Sequence, residues 1–547
     1  MRSLGAWARD GSVMAMFLCA TCLRLLSSLN RPPRSFIDQF AIPQCGRIAQ
    51  RAPVVGISLV STVGSRAFRR SRDLQLSALT GTVAMLLLRR RRRQQRTAAA
   101  GIKEALEEAV PKLLSASSGK TFTWNTDDDA DDYLNLAANE YYNHTENHQV
   151  ITTKIGLART LAKHASTQHF FPRCHDMKDQ AARDRFVVDF RRCAALNVVR
   201  QHLQLSVTPE PGGCVCCLDV LQDAIEVLEQ WISDPDGSIG ALVSAPSRRS
   251  AVDWGALLCY GSLCPEGLGS RSLCDRSEFQ GLRWGEPLRE QQFVLERLVR
   301  EIEATFPQVS LQRNRNVWIV KPFVGSKGNG LRCLESLSEI TRHCVIWEAC
   351  LVQKYLERPF LLQGRKFDIR LWVLVKSVRP LKLFRFSDCY LRFCRKAYNL
   401  DSLEDRQQHL TNWAVNRGSF DDAEESVRPL QVLKEELGQD YWEEEVQPAL
   451  DKIVLTTLQT AQEDLVARTG CFSLLGFDFI LGEDRQVWLL EVNSSPACDE
   501  RAPWLSQMLK RMIHRLIEVV CFDKEALDGE GMDWIQLKSD SAQVSPS

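Results

Sequence analysis

The chain lacks an apolar run of about twenty residues, the length that a helix needs to cross a bilayer. The run Leu74 to Leu88 spans only fifteen residues, and five arginines, Arg89 to Arg93, follow it directly. It falls short of an ordinary spanning helix, which leaves open only a tilted or thin-membrane anchor. With 547 residues, 44% of them hydrophobic and 25% charged, the chain has the composition of a folded protein of two to four domains.

Lysine is absent from the first hundred residues, which hold seventeen arginines and three acids, a balance of 17 − 3 = +14. Because the net charge of the whole chain is +1, the other residues carry 1 − 14 = −13. A nucleic-acid-binding protein is expected to carry its positive charge on the folded domain, so we predict no nucleic-acid partner. The basic leader fits either an organellar targeting segment or a disordered extension with weak membrane association. Both hypotheses stay open.

A second pair of metal-ligating residues is missing near the densest cysteine group, Cys214, Cys216 and Cys217. The nineteen cysteines are scattered over a long chain, unlike those of a short disulfide-stabilised secreted domain. We therefore predict buried free thiols in a reducing compartment and no zinc site.

Composition divides the remainder of the chain. It becomes that of a globular protein after about residue 118, and a stretch rich in glycine and serine at 244–287 indicates a linker or an insertion. We predict five segments: a basic leader of low order at 1–118, an N-terminal α/β module at 119–232, a linker or insertion at 233–290, a catalytic core at 291–525 and a tail at 526–547.

A Walker A loop is also absent, because no GK[ST] sequence opens a helix. A glycine-rich loop of another kind follows the apolar strand Val317 to Val320 and the pair Lys321-Pro322. It reads Gly325-Ser326-Lys327-Gly328-Asn329-Gly330. Three glycines in six residues permit positive φ angles and close approach of backbone N–H groups to phosphate oxygens. Such a loop alone is weak evidence, since glycine loops also form ordinary hairpins.

Two further strands carry polar groups. The run Leu351 to Leu356 is apolar and ends in residues able to hydrogen-bond a flat heterocycle. In the next strand, alternation places Lys366, Asp368 and Arg370 on one face. This set suits a bound triphosphate, and an exposed, salt-bridged strand face is the alternative.

The strongest constellation lies near the C-terminus. Two apolar strands, Leu475 to Ile480 and Val487 to Asn493, flank a Gly-Glu-Asp turn. If the hairpin centres between residues 484 and 485, Asp478 lies opposite Glu491, and Asn493 shares their face. Burying these groups unpaired is costly, and oxygen ligands of this type suit Mg²⁺ shared with nucleotide phosphates. We expect the Asp478 and Glu491 carboxylates to lie within about 8 Å of each other, the most that one ion could bridge.

Taken together, these motifs resemble the tubulin–tyrosine ligase-like family of ATP-grasp amino-acid ligases. The motifs that carry the resemblance are Trp318-Ile319-Val320-Lys321-Pro322, the glycine loop, Val352-Gln353-Lys354-Tyr355, Lys366-Phe367-Asp368-Ile369-Arg370, His409-Leu410-Thr411-Asn412, Gly476-Phe477-Asp478 and Glu491-Val492-Asn493-Ser494-Ser495-Pro496. Upstream, Ile151 to Leu157, Phe170 to Cys174 and Asp189-Phe190 are similar to the glycylase branch, as is Tyr390-Leu391-Arg392-Phe393. The resemblance covers roughly residues 120–523.

The resemblance implies an α/β (α+β) ATP-grasp fold, with two subdomains holding a nucleotide between antiparallel sheets and a smaller α/β module before them. It implies ATP and Mg²⁺ as cofactors, with the metal at Asp478, Glu491 and Asn493. The implied nucleotide-binding residues are Lys321, Lys327, Gly328, Gln353, Lys354, Tyr355, Leu356, Lys366 and Asp368. Lys321 would also serve catalysis by neutralising phosphate charge, while Arg370 and Arg392 would stabilise an acyl-phosphate.

The family also implies substrates and a location. The acceptor would be a glutamate in an acidic tubulin tail, the donor a free amino acid, and the location the cytoplasm, cytoskeleton, cilium or flagellar axoneme. Glycine is the expected donor, although Lys327 in the loop and the segment 493–498 are closer to the tyrosine-adding founder. Glutamate and tyrosine therefore stay open as donors. A non-catalytic microtubule-binding relative is the alternative from another class, and a small-molecule ATP-grasp ligase is disfavoured by the HLTN motif.

A basic segment fits an acidic acceptor. Residues 365–396 contain ten lysines and arginines against Asp368 and Asp388, a balance of 10 − 2 = +8. We expect this segment to attract an anionic tail toward the site. The alternative is basic side chains that alternate outward on strands.

Overall fold

The computed structural model describes residues 105–110, 119–125, 136–207, 216–235, 254–261, 283–285, 289–323, 325, 327–347, 349–416, 422–494, 496, 501–522 and 533–538. All of them belong to one unit, Gln75–Ser547. The apolar run and the arginines of the predicted leader lie outside the described residues, as does Cys214. In the described part of the chain, no helix is both long and apolar enough to cross a membrane.

Strands and helices alternate along the chain in the α/β pattern that the sequence predicts. The strands are β1 (Thr121–Thr123), β2 (Glu140–Tyr142), β3 (Cys174–Asp176), β4 (Cys216–Cys217), β5 (Trp284–Gly285), β6 (Trp318–Pro322), β7 (Arg332–Leu334), β8 (Cys350–Lys354), β9 (Leu361–Leu362), β10 (Arg365–Ser377), β11 (Lys382–Phe386), β12 (Tyr390–Phe393), β13 (Val427–Pro429), β14 (Ser473–Leu481), β15 (Val487–Asn493) and β16 (Trp534–Leu537). The helices are α1 (Gln149–Thr152), α2 (Lys154–Leu161), α3 (Gln180–Val207), α4 (Leu218–Ser233), α5 (Trp254–Gly261), α6 (Arg289–Thr305), α7 (Leu337–Trp347), α8 (Arg406–His409), α9 (Trp413–Asn416), α10 (Asp422–Glu425), α11 (Gln431–Leu437), α12 (Gln439–Tyr441), α13 (Gln447–Ala461) and α14 (Pro503–Phe522).

A four-stranded antiparallel sheet has the order β3-β8-β6-β7. Because residues alternate between faces, Trp318, Val320 and Val352 point to one side, where they pack on Phe186 of α3 and Ile340 of α7. The opposite face carries Lys321 and is left for the site.

A second, eight-stranded sheet is built around the long strand β10. On one side β10 pairs with β12 and β11, and on the other it pairs with β14, which in turn pairs with β15, all antiparallel. Each face of the sheet has its own apolar core. The two antiparallel sheets and the preceding module confirm the predicted fold class.

The closing helix α14 covers one face of the larger sheet. Its buried side chains form an apolar stripe that includes Leu505, Met508, Leu509, Met512, Ile513, Leu516, Ile517 and Val520. They pack on Trp372 and Leu374 of β10. A helix at 105–110, inside the predicted leader, joins the same core, and β16, inside the predicted tail, pairs with β11. The folded region therefore extends beyond both predicted boundaries.

The cysteines follow the prediction. Ten cysteines in the described residues are free, and all of them except Cys174 are buried. Cys217 is one of the buried thiols, and burial raises its pKa to about 11. Such thiols are inert parts of the core.

Candidate active site

The face of β10 that carries Trp372 also carries Asp368 and Arg370, beyond the part that α14 covers. Neighbouring strands supply partners at the same level, since Asp368 lies opposite Arg392 on β12 and Arg370 lies opposite Asp478 on β14. Directly opposed side chains are close enough to interact, so the sheet register itself brings four charges together.

These four side chains form one buried network. Arg392 donates to both Asp368 oxygens, at 2.6 and 2.8 Å, and also reaches Asp478 Oδ2 at 2.7 Å. Arg370 donates to the two Asp478 oxygens at 2.5 and 3.1 Å. The planar guanidinium fork matches a carboxylate in two directions, which fixes the positions as well as balancing the charges. Within the described residues, Nη1 of Arg370 is buried and has no hydrogen-bond partner.

The hairpin of β14 and β15 adds Glu491 and Asn493. Asp478 lies opposite Glu491, as predicted, but the pairing nearer the turn centres on residue 484. Leu490 is an extra residue on β15, and this bulge restores the predicted pair. Without it, Glu491 would point to the other face of the sheet. Asn493 donates to Asp478 Oδ2 at 3.1 Å.

The Asp478 and Glu491 carboxyl groups are in hydrogen-bonding contact, well within the predicted 8 Å. Burial and the charge of Asp478 raise the pKa of Glu491. Burial opposes ionisation of Asp478 too, but Arg370 and Arg392 outweigh it and hold the pKa of Asp478 below its usual range. Two buried carboxylates in contact repel each other once both are ionised, and a divalent cation between them removes that cost.

The donor set fits magnesium. No group of three or more His, Cys, Asp and Glu side chains that could hold a metal occurs among the residues described. Two carboxylates and the amide oxygen of Asn493 are hard oxygen donors, and Mg²⁺ commonly completes its shell with water and phosphate oxygens. The residues present are therefore suited to a magnesium ion that is shared with a nucleotide.

Lysines line the other side of the site. Burial lowers the pKa of Lys321, on β6, to about 8, while the carboxylate of Glu491 opposes the shift. The pKa of Lys366 is also lowered by burial. Lys154, at the start of α2, donates to the carbonyl of Gly325 at 2.8 Å and lies near enough to Lys321 to lower its pKa further. A cluster of positive charge of this kind favours a bound polyanion.

The HLTN segment organises the site from the side. The Thr411 hydroxyl donates to Asp368. Lys366 Nζ donates to Tyr355 Oη at 2.9 Å and to the carbonyl of His409 at 3.0 Å. Tyr355 Oη and His409 Nδ1 are 3.1 Å apart, and His409 Nε2 lies 3.1 Å from the carbonyl of Ser402. Because a carbonyl only accepts, Nε2 carries a proton, and burial lowers the pKa of His409 to about 4, so the ring is neutral near pH 7.

The glycine loop is clasped by the same segment. Lys327 and Gly328 have φ angles of 59° and 80°. A Cβ on Gly328 would lie 2.9 Å from Val415 and 3.0 Å from Asn412, and Arg406 donates to the Gly328 carbonyl. Glycine is therefore required at 328 both for its left-handed backbone and for space.

The side chains of the predicted base-binding run 353–356 point to different partners. Gln353 donates its side-chain amide to the carbonyl of Pro172 at 2.9 Å. Lys354 is buried against Glu357, 2.7 Å away, on the opposite face from Tyr355. Leu356 packs with Trp488. Thus the side chain of Lys354 is committed to a structural ion pair, and its main-chain N–H to the carbonyl of Arg173.

The structure brings most of the predicted residues together. Lys321, Lys366, Asp368, Arg370, Arg392, Asp478, Glu491 and Asn493 share one buried region. Sequence reasoning assigned no role to Lys154 or Thr411, although both stand inside quoted motifs. It also missed Glu357, which accepts from the backbone N–H groups of residues 313, 315 and 317. Nothing near Glu357 in the sequence signals those distant donors.

The basic residues of 365–396 lie on different faces of the fold, and the attraction of an anionic tail by this segment stays a prediction. Arg392 and Arg370 are paired inside the site, Arg385 pairs with Asp451 of α13 on the other face, and Lys396 pairs with Asp405. Alternation along the strands separates the charges, and local acids neutralise them.

Two antiparallel sheets, a glycine loop and a buried set of lysines and carboxylates between them define an ATP-grasp protein. The model of the tubulin-tyrosine ligase family matches residues 274–527 of the 547 residues in the chain. The match confirms the resemblance inferred from the motifs.

Curated relatives carry glycylase names. Tubulin glycylase 3E of Tetrahymena thermophila is 28% identical over 476 residues, with 73% of this chain and 34% of that protein covered. Tubulin monoglycylase TTLL3 of Mus musculus is 28% identical, with 68% of this chain and 43% of that protein covered. Protein monoglycylase TTLL8 of Mus musculus is 28% identical, with coverages of 73% and 52%. The chain thus spans about a third to a half of the length of these relatives.

Glu491→Gln tests the acidic pair. The amide keeps the shape of the side chain but removes the anion, so Mg²⁺-dependent activity should be abolished while the fold is nearly unchanged. Activity at ordinary magnesium concentration and far-ultraviolet circular dichroism measure the two effects. Normal turnover in this variant would show that Glu491 holds no essential metal.

A second test concerns stability at acid pH. Burial and the nearby Lys366 charge lower the pKa of His409 from 6.5 to about 4. The unfolded chain then binds one more proton than the folded chain between these values, so this stabilisation is complete above pH 6.5 and is lost as pH falls toward 4. In this window the free energy of unfolding should fall with pH more steeply in the parent protein than in His409→Gln. The difference should be up to about 1.4 kcal/mol per pH unit. Urea denaturation of both proteins at pH 7 and pH 4.5 measures this difference. An identical loss of unfolding free energy in the two proteins would contradict a lowered pKa of His409.

Proposed function

We propose that this chain is an ATP-dependent amino-acid ligase that joins glycine by an amide bond to glutamate side chains in the acidic tails of tubulin. The observation that carries the proposal is the contact between the buried carboxyl groups of Asp478 and Glu491, placed beside Arg370, Arg392 and Lys321. A structural role for so much buried charge is unfavourable, because desolvation costs several kcal/mol per ion.

The proposed reaction has two steps. A carboxylate oxygen of the acceptor glutamate bonds to the γ-phosphorus of ATP, and the bond from that phosphorus to ADP breaks. The amine of the free amino acid then attacks the resulting acyl carbon, phosphate leaves, and the nitrogen loses a proton. Lys321 and Lys366 are placed to offset the charge of the phosphates. Mg²⁺, held by Asp478, Glu491 and Asn493, would shield the phosphate oxygens further.

Arg370 and Arg392 are suited to the acyl-phosphate for a geometric reason. Both are fixed by carboxylates on neighbouring strands, so they lose little freedom when an anion arrives. The unpartnered Nη1 of Arg370 is a donor for such an oxygen. A preorganised donor of this kind acts on charge that develops during the reaction.

The choice of glycine and of tubulin follows the relatives, whose printed names are tubulin glycylase and monoglycylase. We propose the cytoskeleton or the cilium as the location, which the family resemblance implies. Glutamate and tyrosine stay as alternative donors, and other acidic proteins as alternative acceptors. A non-catalytic microtubule-binding relative is disfavoured, because Lys321 and all three predicted metal ligands are present.

Mass spectrometry of tubulin tests the function directly. Purified protein is incubated with tubulin, ATP, Mg²⁺ and an equimolar mixture of glycine, glutamate and tyrosine, with Asp478→Asn as the matched inactive control. We expect tubulin to gain mass equal to added glycine on glutamate residues of its tails. This gain should require ATP and should occur with the parent protein but not with the Asp478→Asn variant. Addition of glutamate or tyrosine would show that the donor is that amino acid and not glycine. An absence of any addition would contradict the proposal of a tubulin ligase.

Arg392→Lys separates ligation from nucleotide binding. The variant keeps the charge, but a lysine cannot contact Asp368 and Asp478 with the same fork. Ligation should fall by more than tenfold, about 1.4 kcal/mol or more of lost transition-state stabilisation. Adenosine binding should change little, since the Arg392 side chain contacts Asp368 and Asp478 and not residues 353–356. Unchanged ligation would mean that Arg392 is an ordinary structural residue.

A further inference from the structure

We propose that Arg173 is a positioning residue for the nucleotide base, acting from the N-terminal module on the strand that carries residues 353–356. The inference rests on the proposed function, because it takes this run as the base-binding strand. Arg173 immediately precedes β3, the edge strand of the smaller sheet. Its side chain and its N–H form hydrogen bonds with Asp189, Cys193 and Gln308, and none of these bonds reaches the charged network around Asp478.

The guanidinium of Arg173 is held on every side. Nε donates to Asp189 at 2.8 Å, Nη2 to the Cys193 sulfur at 3.0 Å and Nη1 to the carbonyl of Gln308 at 3.2 Å. Its centre lies 5.4 Å from the Trp318 ring. These contacts tie helix α3, the turn at 307–311 and strand β6 to a single side chain.

The main chain at Arg173 touches the base-binding strand directly. The Arg173 carbonyl accepts from the Lys354 N–H at 2.9 Å, and the neighbouring Pro172 carbonyl accepts from the Gln353 side-chain amide at 2.9 Å. The Arg173 N–H donates in turn to the Gln308 side chain at 2.6 Å. Residues 353 and 354 therefore depend on the position of residues 172 and 173 for two hydrogen bonds.

Trp318 gives a second connection between the same groups. The ammonium of Lys354 lies 5.3 Å from the Trp318 ring, the same ring that the Arg173 guanidinium covers. Lys354 also pairs with Glu357 at 2.7 Å, and that carboxylate accepts the N–H groups of residues 313, 315 and 317. Loss of the Arg173 side chain thus loosens the support of the base-binding strand on the face away from the nucleotide. Small displacements of binding groups weaken a ligand that depends on their position.

Arg200 provides a matched control. It lies on α3, the helix that the Arg173 side chain contacts, and donates to the carbonyls of Gln312 and Arg313 at 3.1 Å and to the carboxylate of Glu303 at 2.7 Å. Its side chain is 16% exposed, against 22% for Arg173. It ties α3 to residues 303, 312 and 313, and none of these three hydrogen bonds reaches strand β8. General damage to the module should therefore affect both variants alike.

Binding of two ligands to the full chain tests the inference. Affinities for ATP and for inorganic tripolyphosphate are measured with Mg²⁺ for the parent protein, Arg173→Ala and Arg200→Ala, beside thermal unfolding. We expect Arg173→Ala to weaken ATP by about tenfold or more while tripolyphosphate changes less than about twofold. Arg200→Ala should leave both unchanged, and millimolar guanidinium should partly restore ATP binding to Arg173→Ala. If Arg173→Ala does not fold, Arg173→Lys, which keeps the charge and the stem, is measured in the same way.

The outcomes separate the two levels of inference. Equal weakening of ATP and tripolyphosphate by Arg173→Ala, or an equal effect of Arg200→Ala on ATP, would overturn the positioning role and leave the proposed function standing. Failure of the parent protein to bind ATP at all would overturn both.

Discussion

The carboxylate of Asp478 is the point on which the site depends. It is 1% exposed, and it is bound by Arg370, Arg392 and Asn493 at once. An ionised carboxylate in such a place is tolerable only because these donors satisfy it. Since they stand on β10, β12 and β15, this one group fixes the relative position of three strands around its own. Removing it would leave two guanidinium groups buried with too little negative charge, so the geometry and the charge balance fail together.

Lysines from both sheets supply what this arrangement still lacks. Lys321 and Lys366 approach the carboxylates from the nucleotide side, and burial lowers the pKa of both amines. Glu491, whose pKa is raised, faces them. In the unliganded protein the charged form of each of these groups is therefore energetically unfavourable. A polyphosphate with a divalent cation relieves all of them, because it brings negative charge to the lysines and positive charge to the paired carboxylates.

Much of this was predictable from local rules. Strand alternation places Asp368 and Arg370 on one face, and the apolar stripe of α14 emerges intact. The pairing of Asp478 with Glu491 was also predicted, but on a symmetric turn, whereas the actual pair requires a bulge at Leu490 that no sequence pattern announces. The roles of Glu357 and Arg173 could not be predicted, since each depends on contacts with segments 40 or more residues away, such as the N–H groups at 313 and 315 or the Gln308 side chain. Summed charge over 365–396 ignores which face each residue occupies and which acids lie nearby.

The central claim is that cation and nucleotide bind as one unit to the Asp478 network. Calorimetric titration of the full chain with ADP, with and without Mg²⁺, tests it without requiring catalysis. The account predicts that Mg²⁺ tightens ADP binding at least tenfold, about 1.4 kcal/mol, and that Asp478→Asn removes this dependence. Equal ADP affinity in the presence and absence of Mg²⁺ would contradict it.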